Sequence, residues 1–82
     1  MRADDPRIEK LIKSESFHHF PGTNIVVCAV VMTCGQQSVG WSFAPGGMDF
    51  DFEAEKERAR KKTRRNIAGL ESYRERAERS AA

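Results

Sequence analysis

The chain has 82 residues, 32% of them charged and 39% hydrophobic, with a net charge of +2. This describes one small globular domain with a marginal core and excludes a disordered tail. The longest apolar run, Ile25 to Met32, excludes a membrane-spanning helix, which needs about 20 apolar residues.

The first predicted element is a short helix over residues 6–15. Asp5 can cap it, Pro6 suits its first turn, and Ile8, Leu11 and Ile12 form a narrow apolar stripe. The opening MRADDPRIEK lacks the apolar core of a signal peptide, so the expected location is the cytoplasm. FHHFPGTN follows as a turn-bearing connection, with Pro21-Gly22 as its signal.

Residues 24–43 predict an antiparallel β-hairpin. IVVCAVVMT is rich in β-branched residues, and QSVGWSF alternates Val39, Trp41 and Phe43 with Ser38, Gly40 and Ser42. If Cys34 and Gly35 are the two central turn residues, Val26, Cys28 and Val30 share a face with Val39, Trp41 and Phe43. A loop one residue longer reverses that assignment. The first strand is apolar on both faces. Under the two-residue turn, Ile25, Val27, Ala29 and Val31 need a cover, either the N-terminal helix or another chain. These four are the candidate self-association residues, and a dimer is the expected assembly.

APGGM reads as a loop. A long amphipathic helix then fills residues 50–79, with Asp49 or Asp51 as its cap and a tail prone to fray. Its apolar stripe of Phe52, Ala59, Thr63, Ile67, Leu70 and Ala77, edged by Tyr73, is expected to pack on Val39, Trp41 and Phe43. Gly69 marks a place to bend or stop. The fold class is therefore α+β: a short N-terminal helix, a two-stranded antiparallel hairpin and a long C-terminal helix.

The charge is asymmetric. Residues 1–55 carry eight acids and four bases, and residues 56–82 carry four acids and ten bases. Within KERARKKTRR, the side chains Arg58, Arg60, Lys61, Arg64 and Arg65 spread over the helix face opposite the apolar stripe. They are the candidate partner-binding residues, for an acidic protein surface or for nucleic-acid phosphates. No catalytic constellation is discernible. His18 and His19 are adjacent and point apart in an extended segment, and Cys28 and Cys34 are too few for a zinc site. Asp49, Asp51, Glu53, Glu55 and Glu57 lack the calcium-loop pattern and read as helix-terminus acids. No metal, cofactor or enzymatic activity is expected.

One pattern is more specific. Phe17, Phe20-Pro21-Gly22-Thr23, Val26-Val27-Cys28, Gly35, Val39-Gly40, Ser42, Phe50-Asp51, the alanine-bearing helix and Leu70-Glu71-Tyr73 occur in a characteristic order over residues 16–73. In this the chain resembles a family of short, uncharacterised tailed-bacteriophage proteins. Trp41 stands where that family pattern has an acidic residue, and Lys56 where it often has glycine. The resemblance implies a phage protein working in the host bacterial cytoplasm, and it carries over no active site. The expectation is a non-enzymatic accessory protein that binds and modulates a host protein, above all a defence system (an anti-CRISPR-type inhibitor, for example). The alternative is a DNA- or RNA-binding accessory protein using the basic helix face. Membrane is not an expected partner.

Overall fold

The structure is a computed structural model that describes residues 1–44 and 50–81. It is α+β, with a helix α1 (Arg7–Leu11), strands β1 (Ile12–His19), β2 (Ile25–Met32) and β3 (Gln37–Phe43), and a helix α2 (Phe52–Ala81). The strands form one antiparallel sheet in the order β1-β2-β3. The expected hairpin is present but is not the whole sheet: residues 12–19, divided in the sequence reading between helix and connection, supply a third strand. α1 ends after five residues because Ile12 turns extended, at φ −93° and ψ 121°. Beyond a bulge at Lys13, Glu15, Phe17 and His19 alternate inward with Ser14, Ser16 and His18 outward. That two-residue period overrides the short helical stripe ahead of it.

The β2–β3 register settles which face is buried. Val30 pairs with Ser38, Cys28 with Gly40 and Val26 with Ser42. The turn is the longer of the two considered: Thr33, Cys34 and Gly35 connect Met32 to Gln36, and Gly35 takes φ +91°. A three-residue loop ending in left-handed glycine is a standard hairpin solution, because only glycine adopts that conformation without a Cβ penalty. Val39, Trp41 and Phe43 therefore point away from α2, opposite to the expected packing.

What α2 packs on is the small side of β3. A Cβ on Gly40 would lie 2.5 Å from the Thr63 backbone nitrogen and 2.8 Å from the Ala59 carbonyl oxygen, so only glycine lets the helix approach so closely. Glu55, Ala59, Thr63, Ile67 and Glu71 form a buried i, i+4 ridge on α2, with Ala68 buried beside it, while Leu70, Tyr73 and Ala77 are exposed. The expected stripe thus holds through Ile67 and turns off the core beyond it. Ile8, Val26, Val30, Met32 and Ile67 are each at most 2% exposed, and burying one such side chain contributes about 1.5–3 kcal/mol.

α1 lies on this same side of the sheet and places Ile8 in the common core. It does not cover the outer face, contrary to one of the two expectations. α2 runs unbroken through Gly69, and its 30 residues make it about 45 Å long. Asp51 caps it, its carboxylate accepting from the Glu53 and Ala54 amides at 3.1 and 3.3 Å. The alternative cap Asp49 and the loop expected over residues 45–48 lie outside the described residues.

Candidate functional site

The basic face of α2 divides in two. On one side its arginines are tied into the fold. Arg64 donates to Glu9 at 2.7 Å and to Glu15 at 2.6 Å, and Arg60 donates to Glu15 at 3.2 Å and to Glu57 at 3.1 Å. The Arg64 side chain is only 14% exposed. Burial works against its charge, but the hydrogen bonds to Glu9 and Glu15 outweigh it and hold the guanidinium pKa above its usual range. Arg64 in turn holds the Glu9 carboxyl below the usual carboxylate range. Lys56 and Arg60 lie over the Phe17 ring, 4.9 and 5.2 Å from its centroid. This network joins α2 to α1 and β1. Arg58 pairs with buried Glu55, whose other oxygen accepts from Ser42 Oγ at 2.5 Å.

On the other side stand Lys61, Lys62 and Arg65. None of them is in an ion pair among the described residues. Of the five sequence candidates, then, Arg60 and Arg64 bridge α2 to β1 and α1, Arg58 pairs with Glu55 within α2, and Lys61 and Arg65 have no ion pair among the described residues. Lys62 joins them although it was not a candidate. Its ammonium lies 5.3 Å from the centre of the Trp41 ring. Asn66, one turn on, donates to the Val39 carbonyl at 2.8 Å and so occupies a hydrogen-bonding group on the edge of β3. Val39, Gly40, Trp41, Lys62, Arg65 and Asn66 line a cleft of about 330 Å³.

The outer face of the sheet carries Ser14, Ser16 and His18 from β1, Ile25, Val27, Ala29 and Val31 from β2, and Gln37, Val39, Trp41 and Phe43 from β3. None of these is an Asp, Glu, Lys or Arg. Val39, Trp41 and Phe43 are each 52% exposed, and Phe20 is 44% exposed. The Trp41 and Phe43 rings lie near-parallel, 5.8 Å apart at 20°. His18 meets Phe20 edge-on at 4.5 Å. The four self-association candidates form the middle of this face.

Among the described residues, nothing gathers into a catalytic constellation. His19 points to the helix side, stacks on Phe50 at 4.5 Å and has its Nε2 at 2.6 Å from the Thr23 carbonyl, while His18 points outward. Cys34 sits in the β2–β3 turn, at the other end of the sheet from His18. Cys28 is a buried free thiol, and burial pushes its pKa up. Among the described residues, no group of three His, Cys, Asp or Glu could hold a metal ion, and no helix is long and apolar enough to cross a membrane.

The sequence reading missed Lys62 and the exposure of Val39, Trp41 and Phe43. Amphipathic alternation in β3 pointed to a buried apolar row, which is the usual outcome. The contrary signal was the Ser38-Gly40-Ser42 row, small enough to lie under a close-packed helix bearing Ala59 and Thr63.

Among comparisons with known proteins, the family model described as phage protein (N4 Gp49/phage Sf6 gene 66) matches residues 4–78. No curated protein and no solved structure matches.

Proposed function

From the premise that the chain belongs to the phage protein (N4 Gp49/phage Sf6 gene 66) family, we propose that it is a phage accessory protein that binds a host protein and performs no chemistry of its own. The observation that carries this reading is the outer sheet face, where β2 and β3 contribute no charged side chain and three large apolar side chains stand about half exposed. An apolar centre depleted of charge, with aromatic anchors and a polar rim, is the anatomy of a protein–protein interface. The partner that fits has an apolar patch, and the excess positive charge of residues 56–82 steers acidic surfaces toward it. Within the host cytoplasm, the class we favour is a defence protein such as a CRISPR effector. That choice rests on the habits of small phage proteins and not on geometry.

A second copy of the chain is the competing occupant. Two such faces would meet through Ile25, Val27, Ala29 and Val31 and the β3 side chains. One experiment separates the cases: a tagged pull-down from nuclease-treated bacterial lysate, comparing wild type with Val39→Ser/Phe43→Ser, alongside light scattering of each. The reading expects one host protein retained by wild type and lost by the variant, with the oligomeric state the same for both. A wild-type dimer that the variant converts to monomer would give the face to a second copy. The same proteins retained by both forms, or none by either, would contradict the proposal.

A further inference from the structure

We propose that the cleft between β3 and α2 is a binding site for single-stranded nucleic acid, with a base stacked on Trp41 and the adjoining phosphates held by Lys62 and Arg65. This inference does not rest on the outer face having a protein partner; the two readings share Trp41 and Phe43, so both ligands would compete for that corner of the sheet. Three features favour it. The first is electrostatic. Arg58, Arg60, Arg64 and Arg74 on the same helix each have a glutamate within ion-pair distance, whereas Lys61, Lys62 and Arg65 have no such acid among the described residues. Among the described residues, no acid lines the cleft itself. Lys61 and Arg65 extend the cationic track into a neighbouring cleft, where Asp4 is the one acidic lining residue.

The second feature is the platform. Trp41 is 52% exposed and its ring stacks near-parallel with that of Phe43, so the aromatic pair presents one Trp41 face at the cationic edge, where Lys62 lies. Aromatic rings beside a positively charged groove are how proteins bind single strands without reading sequence, since every base has a face to stack. A duplex keeps its base faces covered and lacks that contact except at its ends. Lys62 lies over the indole in the free protein, and a base taking that ring face would shift its ammonium to the phosphate.

The third feature argues against a peptide strand in the same place. Adding a strand to β3 requires free backbone groups along its edge, and the Asn66 amide already donates to the Val39 carbonyl. An acidic protein surface remains as a rival for the cations, and it would make no use of a stacked base.

Trp41 is the chain's one tryptophan, so its fluorescence reports the site directly. The experiment titrates the protein at 50 and 200 mM NaCl with dT12, with heparin as a polyanion without bases, and with poly-glutamate as a stand-in for an acidic protein. Fluorescein-labelled dT12 gives affinities for the variants by anisotropy. The expected result is that dT12 quenches Trp41 and binds more tightly than heparin or poly-glutamate. Lys62→Glu/Arg65→Glu should weaken dT12 at least tenfold. It should also flatten the slope of log affinity against log salt by about 1.4, which corresponds to two phosphates on a single strand. Trp41→Ala should weaken binding by about tenfold, the scale of one lost stacking contact. Because these three side chains are exposed, their melting curves should match wild type. The proposal is overturned by no dT12 binding at 50 mM NaCl, by dT12 binding that leaves Trp41 emission unchanged, or by poly-glutamate binding as tightly as dT12.

Discussion

The two faces of the β2–β3 hairpin are built from the same two strands and do opposite work. Toward α2, β2 offers Val26, Cys28 and Val30, while β3 offers only Ser38, Gly40 and Ser42. The small side chains let the helix backbone approach closely, and Ala59, Thr63 and Ile67 fill what space remains. Away from α2, the same strands present Val27 and Ile25 beside Val39, Trp41 and Phe43, with the largest side chains half in solvent. The difference teaches that side-chain size in a strand does not by itself say which face is inside. Proximity of the covering helix decides it, and glycine and serine permit more proximity than tryptophan does.

The largest expected effect separates the faces by truncation. Ile67→Ala removes a side chain with no exposure and should cost about 3 kcal/mol in urea unfolding, as buried Leu and Ile deletions do. Phe43→Ala deletes a larger side chain from the open face and should cost under about 1 kcal/mol, as surface changes do. Equal losses would erase the distinction between the faces.

Next comes the staple behind the inner face. Arg64→Met leaves Glu9 unpaired and leaves Glu15 only Arg60, and should cost about 2 kcal/mol, more than the roughly 0–1 kcal/mol of an exposed pair. Lys61→Met, three residues earlier on the same helix and unpaired among the described residues, should change stability by less than about 0.5 kcal/mol. If both variants melt together, the basic face is not divided as described.

The smallest effect is set by pH. Hydrogen bonds from Arg7 lower the Asp5 carboxyl to about 2, and Arg64 lowers Glu9. Both folded values lie below the unfolded ones, so the stability they contribute is complete above about pH 5 and is lost as pH falls through the folded values. Melting temperature should therefore drop from pH 5 toward pH 2. Asp5→Asn/Glu9→Gln should start lower at pH 7 and fall less steeply. Parallel curves for the two proteins would contradict the assignment.

Much of this architecture was legible in the sequence. β-branched residues announced β2, the turn glycine marked the β2–β3 connection, and the periodicity of residues 52–67 gave the helix and most of its buried ridge. β1 was hidden because Lys13-Ser14-Glu15-Ser16 is polar, and its inward residues Glu15 and Phe17 are covered by arginine and lysine from α2, 45 residues distant in the case of Arg60. The sheet's orientation hung on one residue of loop length, which strand composition does not encode. The candidate site was legible only in part: a run of seven bases among ten residues was plain, but which of them are consumed by Glu9, Glu15, Glu55 and Glu57 depends on tertiary contacts. Trp41 became a candidate only once the register exposed it.

The most direct measurement compares two adjacent residues of β3, Gly40→Ala and Trp41→Ala, by urea unfolding at low micromolar concentration. A methyl on Gly40 runs into the Ala59 and Thr63 backbone, so Gly40→Ala should lose about 2 kcal/mol or more, although it adds a single carbon. Trp41→Ala should lose under about 1 kcal/mol, although it removes an indole. The reverse order, with Trp41→Ala unfolding the protein and Gly40→Ala tolerated, would put the aromatic row under the helix and contradict the account.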